Sequence, residues 1–499
     1  MKNVVIVGGG TAGWMAANLL VKQFPAEQVN VTLVESPTIG IVGVGEGSTP
    51  TLKRFFQLID VHESDWMVQC NATYKVNIRF VGWSPNAPFQ DYSHPFFSQV
   101  DTFTERAFEV NTQTRRLGLD THVKPDDFFL NGILAAQGKG PLTPDNFPFR
   151  MEYGYHFDSH LLGNYLKNVA IQRGVRHISD EVIQVNRHAN GDVSTLTLAK
   201  HAAINGDFFI DCSGFSSLLM QQTLGVTFKS FSDNLFNNAA VVLPSAAQKE
   251  LPVETRSTAL KNGWCWSIPL TNRTGNGYVY SDAFTSKDDA EVELRSHLKI
   301  GEAVEARHLK MKVGQLTQHW AHNCLGLGLS QGFIEPLEAT ALHLVQVSIE
   351  MFIDKWKEGG LTPQHRDTFN RDMTQRFEHV RDYIVAHYKL NTRDDSEYWR
   401  ANRNNSHFSD SLGHILDVWF KRGDVRQEIQ RQNLQTHFNS SSWHCLLAGY
   451  GAFPRLAAKQ PGTGDLYIEK QVKHFLSRCA LNFDSHQRNL TQHQPQRYV

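Results

Sequence analysis

The chain has 499 residues and a formal net charge of −1, from 49 Lys and Arg against 50 Asp and Glu. Hydrophobic residues make up 41% and charged residues 20%, a composition that excludes a disordered or collagen-like chain. The balanced charge leaves no global basic field for a phosphate backbone, so we do not expect nucleic acid as a partner.

The cysteine and histidine patterns argue against secretion and metal binding. The six cysteines are scattered without a C-x-x-C pair, and none of the 23 histidines shows a metal-ligand spacing. The amino terminus lacks the apolar run and cleavage site of a signal peptide, and no apolar stretch approaches the roughly eighteen residues needed to span a bilayer. We therefore expect a cytoplasmic protein that has no metal ion and no membrane anchor.

The amino-terminal residues predict one βαβ unit. A β-branched run predicts a strand over 4–7, and a glycine cluster separates it from a predicted helix over 14–24 and a second strand over 29–35. Segment 40–50 is so rich in glycine that we expect a loop passing close to a ligand, followed by a helix over 51–59.

The next segments are interrupted by prolines and glycines. Residues 74–80 alternate apolar and polar side chains, which predicts a half-buried strand. The prolines in 85–95 are expected to end that strand, and 121–148 is expected to be irregular. Length and spacing predict a helix over 158–172.

The rest of the chain predicts strands followed by helices. Long helices are predicted over 339–357 and 366–387, and the polar tail 489–499 is expected to be loose. The fold class is therefore an α/β nucleotide-binding body with a mainly helical carboxy-terminal layer. Strand-like runs occur at 193–198, 208–211, 239–243, 263–269 and 277–281. The last three of these runs suggest a mainly antiparallel sheet.

A dinucleotide-binding fingerprint lies at the start of the chain. Gly8, Gly10 and Gly13 form G-x-G-x-x-G between the first strand and helix, and Glu35 ends the second strand, 22 residues after Gly13. Glycines permit a tight turn and close approach to a pyrophosphate, and the helix start offers N–H donors. Glu35 can accept hydrogen bonds from ribose hydroxyls. The alternative is a glycine turn used only for packing.

A second candidate anion site follows a glycine-bearing turn. Residues 323–338 predict a strand, the turn and a helix beginning at Pro336, because proline is favourable at the first helical position. The start of that helix offers N–H donors and a positive dipole end to an anion. The alternative is that Glu335 and Glu338 merely stabilise the first helical turn.

Six motifs together resemble the flavin-dependent halogenases of the tryptophan halogenase type, over nearly the whole chain. The resemblance implies an FAD-binding Rossmann-like body of the flavin monooxygenase type, with an antiparallel substrate sheet. We expect this body over 1–375 and a helical, substrate-covering layer over 376–499, packed together as one unit. The motifs are GGGTAGWMAA at 8–17, GVGEGSTP at 43–50, YHFD at 155–158, GWCWSIP at 263–269, FIEPLEAT at 333–340 and HYKLNTRDD at 387–395.

The same resemblance implies FAD, used as FADH2 from a separate flavin reductase, and chloride or bromide as substrate ion. Backbone N–H groups of Thr340 and Ala341 are implied to bind the halide. Residues implied to contact FAD are Gly8, Gly10, Thr11, Ala12, Gly13, Glu35, Gly43, Glu46, Ser48, Leu337, Thr340 and Ala341.

Two catalytic residues are implied by the resemblance. Lys75 is the lysine that takes up hypohalous acid, and Glu338 is the acidic partner near the substrate. An amine can hold hypohalous acid by a hydrogen bond or become an N-haloamine, and a carboxylate can accept the proton lost when a substituted ring regains aromaticity. Without the family, Lys75 would be interpreted as a solvent-facing lysine on an amphipathic strand.

The small aromatic substrate is implied to stack between His94 and Phe96, on either side of Pro95. Trp264 and Trp266 are implied to line the region between flavin and substrate, and Trp443 to contact the substrate. The alternative for these aromatic residues is an ordinary core or a proline turn.

Two departures from the family pattern concern the halide and the substrate. Tryptophan-specific members usually carry Ser and Gly where this chain has Ala339 and Ala341. Segment 441–451 lacks a tyrosine pair followed by an acid, so an indole, a larger aromatic or a carrier-bound aromatic is as compatible as free tryptophan.

The resulting hypothesis is a halogenase that makes hypohalous acid and delivers it through Lys75 to an electron-rich aromatic such as indole or tryptophan. One alternative is a single-component flavin aromatic hydroxylase, which would use the activated flavin directly on its substrate. Another is a non-catalytic FAD-binding protein. Regiochemistry, halide preference and oligomeric state stay open.

Overall fold

The computed structural model describes residues 1–40, 45–435 and 437–492. They divide into two units, each made of three segments. The first unit contains Met1–Ala72, Phe157–Ser232 and Met311–Glu378, and the segments of the second begin at Thr73, Asp233 and His379. The two units alternate along the chain and do not correspond to the division expected over 1–375 and 376–499, which stays a prediction.

The strands, numbered in chain order, are β1 Lys2–Val7, β2 Val29–Glu35, β3 Gly45–Gly47, β4 Thr73–Lys75, β5 Asn77–Val81, β6 Asp91–Pro95, β7 Gly154–Asp158, β8 Arg176–Ser179, β9 Val182–Arg187, β10 Val193–Leu198, β11 Ile204–Asn205, β12 Phe208–Asp211, β13 Phe228–Ser230, β14 Ala239–Ala246, β15 Glu254–Leu260, β16 Gly263–Pro269, β17 Arg273–Tyr280, β18 Arg307–Lys310, β19 Gly314–Leu316, β20 Trp320–Ala321, β21 Cys324–Gly326 and β22 Gly332–Phe333.

The helices are α1 Thr11–Gln23, α2 Thr51–Leu58, α3 Glu63–Trp66, α4 Thr102–Arg115, α5 Leu130–Ala136, α6 Ser159–Gln172, α7 Lys287–Leu298, α8 Ala341–Glu358, α9 Arg366–Leu390, α10 Glu397–Asn404, α11 Asp410–Phe420, α12 Val425–Arg431, α13 Ser440–Gly449, α14 Leu466–Glu469, α15 Val472–Ala480 and α16 His486–Thr491. Across the described ranges, no helix is both long enough and apolar enough to cross a membrane.

The first unit is built on a six-stranded sheet in the order β20-β21-β12-β1-β2-β8. Its strands pair in parallel except β20 and β21, which form an antiparallel hairpin. Val4 to Val7 are all buried, as expected for a strand covered on both faces. Helix α1 packs against α6 and α8. The predicted βαβ unit and Rossmann-like body are confirmed.

The second unit contains a seven-stranded sheet in the order β18-β14-β17-β16-β15-β5-β6. All neighbours are antiparallel except β15 and β5, which run parallel. This is the mainly antiparallel sheet that the sequence predicts. It carries His94 on β6 and Trp264 and Trp266 on β16.

The strand predicted over 74–80 is split in two. β4 pairs with β7, whereas β5 joins the seven-stranded sheet. Between them, the Val76 N–H donates to Val253 O at 2.8 Å. The prediction of a half-buried strand is wrong, because Lys75 and Asn77 on the polar face are as completely buried as their apolar neighbours.

Two proline-rich segments are more regular than predicted. Segment 85–95 contains β6, which ends at Pro95 and lies at the edge of its sheet, where a missing N–H is tolerated. Segment 121–148 contains α5, and a Cβ on its Gly132 would lie 2.3 Å from Asp126 O. One of the glycines in a segment expected to be irregular therefore lies in a helix and permits close packing.

Three further predictions are wrong in part. The helix expected at Pro336 begins only at Ala341. The glycine-rich loop 40–50 includes the short strand β3, and residues 41–44 lie outside the described residues. The tail is partly ordered, because Asn489 and Leu490 are buried in α16, while residues 493–499 are outside the described ranges.

Candidate active site

The G-x-G-x-x-G turn of the first unit is shaped by contacts that exclude side chains. Gly8 has a φ of +115°, and a Cβ there would lie 2.1 Å from Cys212 O. A Cβ on Gly13 would lie 2.1 Å from Gly8 O, whereas one on Gly10 would meet no atom within 4 Å. Gly10 is the N-cap of α1, so open space faces the free N–H groups of its first turn. That turn includes Thr11 and Ala12.

Glu35 ends β2 beside this turn and is held in place. Its Oε1 accepts hydrogen bonds from Lys167 Nζ and from His177 Nε2, the latter at 2.8 Å. A Cβ on Gly9 would lie 1.7 Å from Oε2, so the glycine lets the carboxylate reach the turn. Lys167 and His177 thus hold the Glu35 carboxylate beside the glycine turn, where it can meet a ribose.

Glu46 has the most perturbed carboxyl in the FAD-binding set. Burial raises its pKa to about 7, a hydrogen bond with Ser159 opposes the shift, and the charge of Asp158 adds to it. Asp158 caps α6 by accepting the N–H groups of His160 and Leu161 at 3.0 and 3.2 Å. Ser48 is buried in the same loop as Glu46, and Gly43 lies outside the described residues.

The segment before α8 forms a tight turn in place of the predicted helix start. The Leu337 N–H donates to Glu335 O at 2.9 Å, the Ala339 N–H donates to Pro336 O at 3.0 Å, and Ala339 has a φ of +54°. A left-handed non-glycine residue stores strain, which is common at functional sites. Glu338 is buried in this turn, and α8 begins after Thr340.

Two helix starts meet at this turn. His343 Nδ1, in the first turn of α8, is 3.3 Å from Oγ1 of Thr51, the first residue of α2. Burial lowers the pKa of His343 to about 4, with a smaller contribution from Arg376, so its ring is neutral at pH 7. The Thr340 hydroxyl is buried and has no hydrogen-bond partner among the described residues. The adjoining Ala341 is the first residue of α8, so N–H donors and positive dipole ends converge here.

In the second unit, Lys75 is fully buried, with 0% exposure. Its Nζ lies 5.4 Å from the centre of the Phe96 ring, within the range of a cation–π contact. The Phe96 N–H donates to Val76 O at 3.0 Å, which ties the two segments together. The solvent-facing alternative for Lys75 is therefore excluded.

His156, which the sequence analysis did not assign, lies on the same face as Lys75. It pairs with Thr73, two residues before Lys75. Thr73 Oγ1 donates to Pro269 O at 2.7 Å and so accepts from His156 Nδ1 at 3.0 Å. Burial, and then the charges of Lys75 and His486, lower the pKa of His156. The ring beside Lys75 is therefore neutral.

His94 belongs to an aromatic cluster with residues distant in sequence. Its ring centre is 5.8 Å from that of Tyr383 and 6.2 Å from that of Phe438. Tyr383 and Phe438 stack at 3.7 Å, and Trp443 contacts Tyr383 edge-on at 4.9 Å. His94 Nε2 is 3.0 Å from Ser442 Oγ. Pro95 is buried beside His94.

Trp264 and Trp266 lie on one face of β16, with ring centres 6.1 Å apart. A Cβ on Gly277, which pairs with Trp266, would lie 2.0 Å from the Trp266 ring. The glycine lets the indole lie flat against β17. These two rings form an aromatic wall on the sheet that also carries His94.

The predicted residues thus form two groups, each within one unit. The first unit brings together the FAD and halide candidates with Glu338, apart from Gly43. The second brings Lys75 close to Phe96 and His94 close to Trp443. Sequence reasoning missed Tyr383 and Phe438, which belong to none of the six motifs. It also assigned no role to His156, which lies inside YHFD at 155–158, because only the pairing of β7 with β4 places His156 on the face of Lys75.

Comparisons with known proteins agree with this geometry. The family described as tryptophan halogenase matches residues 3–462. The chain belongs to the tryptophan halogenase family. The predicted flavin-dependent halogenase is thereby confirmed as the class of enzyme, and so is the predicted fold class.

Individual members of the family are similar over their full lengths. SttH, a tryptophan 6-halogenase from Streptomyces toxytricini, is 38% identical over 493 residues, or 93% of this chain and 92% of SttH. Its crystal structure superposes with a TM-score of 0.85 and 33% identity, covering 98% of this chain and 100% of that one. BrvH, a flavin-dependent halogenase from Brevundimonas sp. BAL3, gives a TM-score of 0.85 with 31% identity over 99% of each chain.

The residues of this halogenase fit FAD at the glycine turn. The open space at Gly10 and the free N–H groups of α1 suit a pyrophosphate, and the fixed carboxylate of Glu35 suits ribose hydroxyls. The second helix start, at Thr340 and Ala341, suits a small anion. N–H donors at the two helix starts and an acceptor carboxylate at Glu35 are the groups that FAD and a halide ion would use.

Proposed function

We propose that this halogenase oxidises chloride or bromide and transfers the halogen through Lys75 to an electron-rich aromatic such as indole or tryptophan. Reduced FAD, which we propose comes from a separate flavin reductase, supplies with O2 the oxidising power that converts halide to hypohalous acid. The observation that carries the proposal is the complete burial of Lys75 with its Nζ 5.4 Å from the Phe96 ring.

The halide is proposed to bind at the start of α8. Halide ions accept hydrogen bonds, and the first-turn N–H groups at Thr340 and Ala341 have no partner within the helix. The buried Thr340 hydroxyl, which lacks a partner among the described residues, supplies a further donor.

Lys75 is proposed to capture hypohalous acid as it forms. A buried amine can hold the acid by a hydrogen bond, or exchange a proton for the halogen and release water. The neutral His156 beside it adds no positive charge to repel the electrophile. Because the halogen is held at one atom, it reacts at one point and is not released into bulk water.

The aromatic substrate is proposed to lie against His94 and Phe96, with Trp443 as a further contact. Electrophilic substitution places positive charge on the ring, and neighbouring aromatic faces stabilise cations. Glu338 is the proposed acceptor of the proton that leaves when the ring regains aromaticity. Trp264 and Trp266 are proposed to exclude water and to keep the substrate from the flavin.

The test compares wild type with Lys75→Met in an assay containing a flavin reductase, FAD, NADH, halide and indole, analysed by mass spectrometry. We expect the variant to lose aromatic halogenation about 100-fold or more, while FAD affinity is unchanged and a chemical trap still detects free hypohalous acid. Lys261→Met, at an exposed lysine, is the control and should keep full activity.

Other results would contradict the proposal. Unchanged indole halogenation by Lys75→Met would remove Lys75 from the mechanism. NADH oxidation by the purified protein alone, with a hydroxylated product and no halide requirement, would indicate the single-component hydroxylase.

A further inference from the structure

The start of α13 carries three consecutive serines whose hydroxyls have different surroundings. Ser441 Oγ donates to Glu105, and Ser442 Oγ pairs with His94 Nε2 at 3.0 Å. Ser440 is only 8% exposed, yet its Oγ has no hydrogen-bond partner among the described residues. A buried hydroxyl without a partner is uncommon in a folded protein and calls for a ligand or water.

Trp443, one turn further along the helix, is in the same situation. Its side chain is 2% exposed, and its Nε1–H has no partner within the described residues. Buried tryptophans normally donate this hydrogen, as Trp399 does to Leu260 O at 2.8 Å. Residues three apart share a helix face, so Ser440 and Trp443, each with an unused donor, lie on the same side of α13.

These donors adjoin the aromatic cluster that contains His94. Trp443 contacts Tyr383 at 4.9 Å, and the Tyr383 hydroxyl donates to Ser442 O at 2.9 Å. The helix start is therefore tied at Ser442 to both His94 and Tyr383. A ring bound against this cluster would lie near Trp443, on the side of α13 that also carries Ser440.

Two carboxylates near α13 already accept hydrogen bonds. Glu105 accepts from Ser441, and Glu109 accepts two hydrogen bonds from Arg426 Nη2, both at 2.8 Å. A free amino acid brings an ammonium and a carboxylate, which cost much free energy to bury without counter-charges. A hydroxyl and an indole N–H can donate to an oxygen acceptor, but they supply no counter-charge for an ammonium group.

We propose that Ser440 and Trp443 form a specificity subsite for an uncharged aromatic substrate that bears an oxygen acceptor, a hydroxyl or a carbonyl. The inference rests on the proposed function of the second unit as the aromatic-binding part of the halogenase. It selects, among electron-rich aromatics, those with a neutral oxygen substituent and discriminates against free amino acids.

The test measures binding without flavin, so that affinity is separated from ring activation. Isothermal titration calorimetry of the full-length protein gives Kd for each of the 4-, 5-, 6- and 7-hydroxyindoles, for the matching methylindoles and for L-tryptophan. We expect one hydroxyindole to bind about tenfold more tightly than its methyl counterpart, because a tenfold difference in Kd corresponds to one good hydrogen bond. The same hydroxyindole should also bind more tightly than L-tryptophan.

Ser440→Ala and Trp443→Phe each remove one donor and keep most of the side chain. Ser440→Ala is expected to bring the Kd of that hydroxyindole to within about twofold of its methyl counterpart, without weakening the methylindole. Trp443→Phe, which also changes a ring proposed to contact the substrate, is expected to bring the ratio of the two Kd values to within about twofold. Trp419→Phe is the control, because Trp419 Nε1 already donates to Ala452 O at 2.6 Å; it should leave the ratio unchanged. Circular dichroism verifies that each variant is folded.

Three results would overturn the proposal: tighter binding of L-tryptophan than of every hydroxyindole, equal weakening of hydroxy and methyl compounds by the variants, and no measurable binding of any compound. If the wild-type protein prefers the hydroxyindole but halogenates no aromatic, the proposed function would be refuted and the subsite would stand.

Discussion

Glu46 offers the sharpest quantitative test of the electrostatics of the FAD-binding unit. Its carboxyl has a usual pKa of 4.5 that rises to about 7 in the folded protein, mainly through burial and further through Asp158. A raised carboxyl pKa means that the native state binds the proton more tightly than the unfolded chain does. Stability therefore falls as pH rises from about 4.5 to 7 and stays lower above that range.

The magnitude follows from the same shift. At about 1.4 kcal/mol per pKa unit, the full shift corresponds to about 3 kcal/mol, and solvent screening of this partly buried group reduces it to about 1–3 kcal/mol. Glu46→Gln cannot ionise. We therefore expect the variant to be more stable than wild type by about 1–3 kcal/mol at pH 8, with the difference approaching zero near pH 4.5.

The assay is urea unfolding of the flavin-free protein at pH 5, 6 and 8, followed by circular dichroism. Glu27→Gln is the matched control, because Glu27 is exposed; its stability difference from wild type should not change with pH. A Glu46→Gln variant that is less stable than wild type at pH 8, or one with the same difference at pH 5 and pH 8, would refute the reasoning.

Gly277→Ala should cost about 1–3 kcal/mol in urea unfolding, because the new Cβ would overlap the Trp266 ring at 2.0 Å; unchanged stability would show that the wall can shift. In Gly8→Ala, the new Cβ would lie 2.1 Å from Cys212 O at a residue whose φ is +115°. We therefore expect FAD to bind at least about tenfold more weakly in a fluorescence titration, and an unchanged FAD affinity would contradict this. Asp101 accepts hydrogen bonds from two buried backbone N–H groups at 2.7 and 2.8 Å. In thermal and urea unfolding, we expect Asp101→Ala to be about 1–2 kcal/mol less stable than Asp101→Asn, because asparagine keeps one acceptor. Equal stability of the two variants would argue against both hydrogen bonds.

Sequence patterns predicted strands and helices correctly where interactions between residues close together in the chain determine the secondary structure. The strands predicted over 29–35 and 263–269 match β2 and β16 in full, because an apolar or aromatic run bounded by glycine or a turn has few alternatives to a strand. The helix predicted over 158–172 also forms, with Asp158 as its N-cap. A cap and an apolar stripe are local signals.

Predictions failed where distant contacts outweigh local preference. Pro336 suggested a helix start, but the chain turns through a left-handed Ala339 and α8 begins at Ala341. The prolines and glycines of 121–148 suggested an irregular segment, yet α5 forms there, and its Gly132 lets the helix pass close to Asp126. In both cases a residue with a clear local preference serves a tertiary constraint that no short window of sequence contains.

The candidate site shows the same division. The glycine turn at Gly8 and the catalytic candidates could be named from motifs, since a fixed spacing on one strand or turn is written directly in the chain. The neutral His156 and the cluster of Tyr383 with Phe438 could not, because they depend on which strands pair and which helix faces pack.

The amino-acid sequence by itself determined the βαβ start, the dinucleotide fingerprint and the family, because each depends on residues close together along the chain. Only the tertiary structure decided that Lys75 is buried, that its neighbour His156 is neutral and that Ser440 and Trp443 keep unused donors. Burial and hydrogen bonding depend on the groups that surround a side chain, and in this protein those groups come from segments hundreds of residues apart.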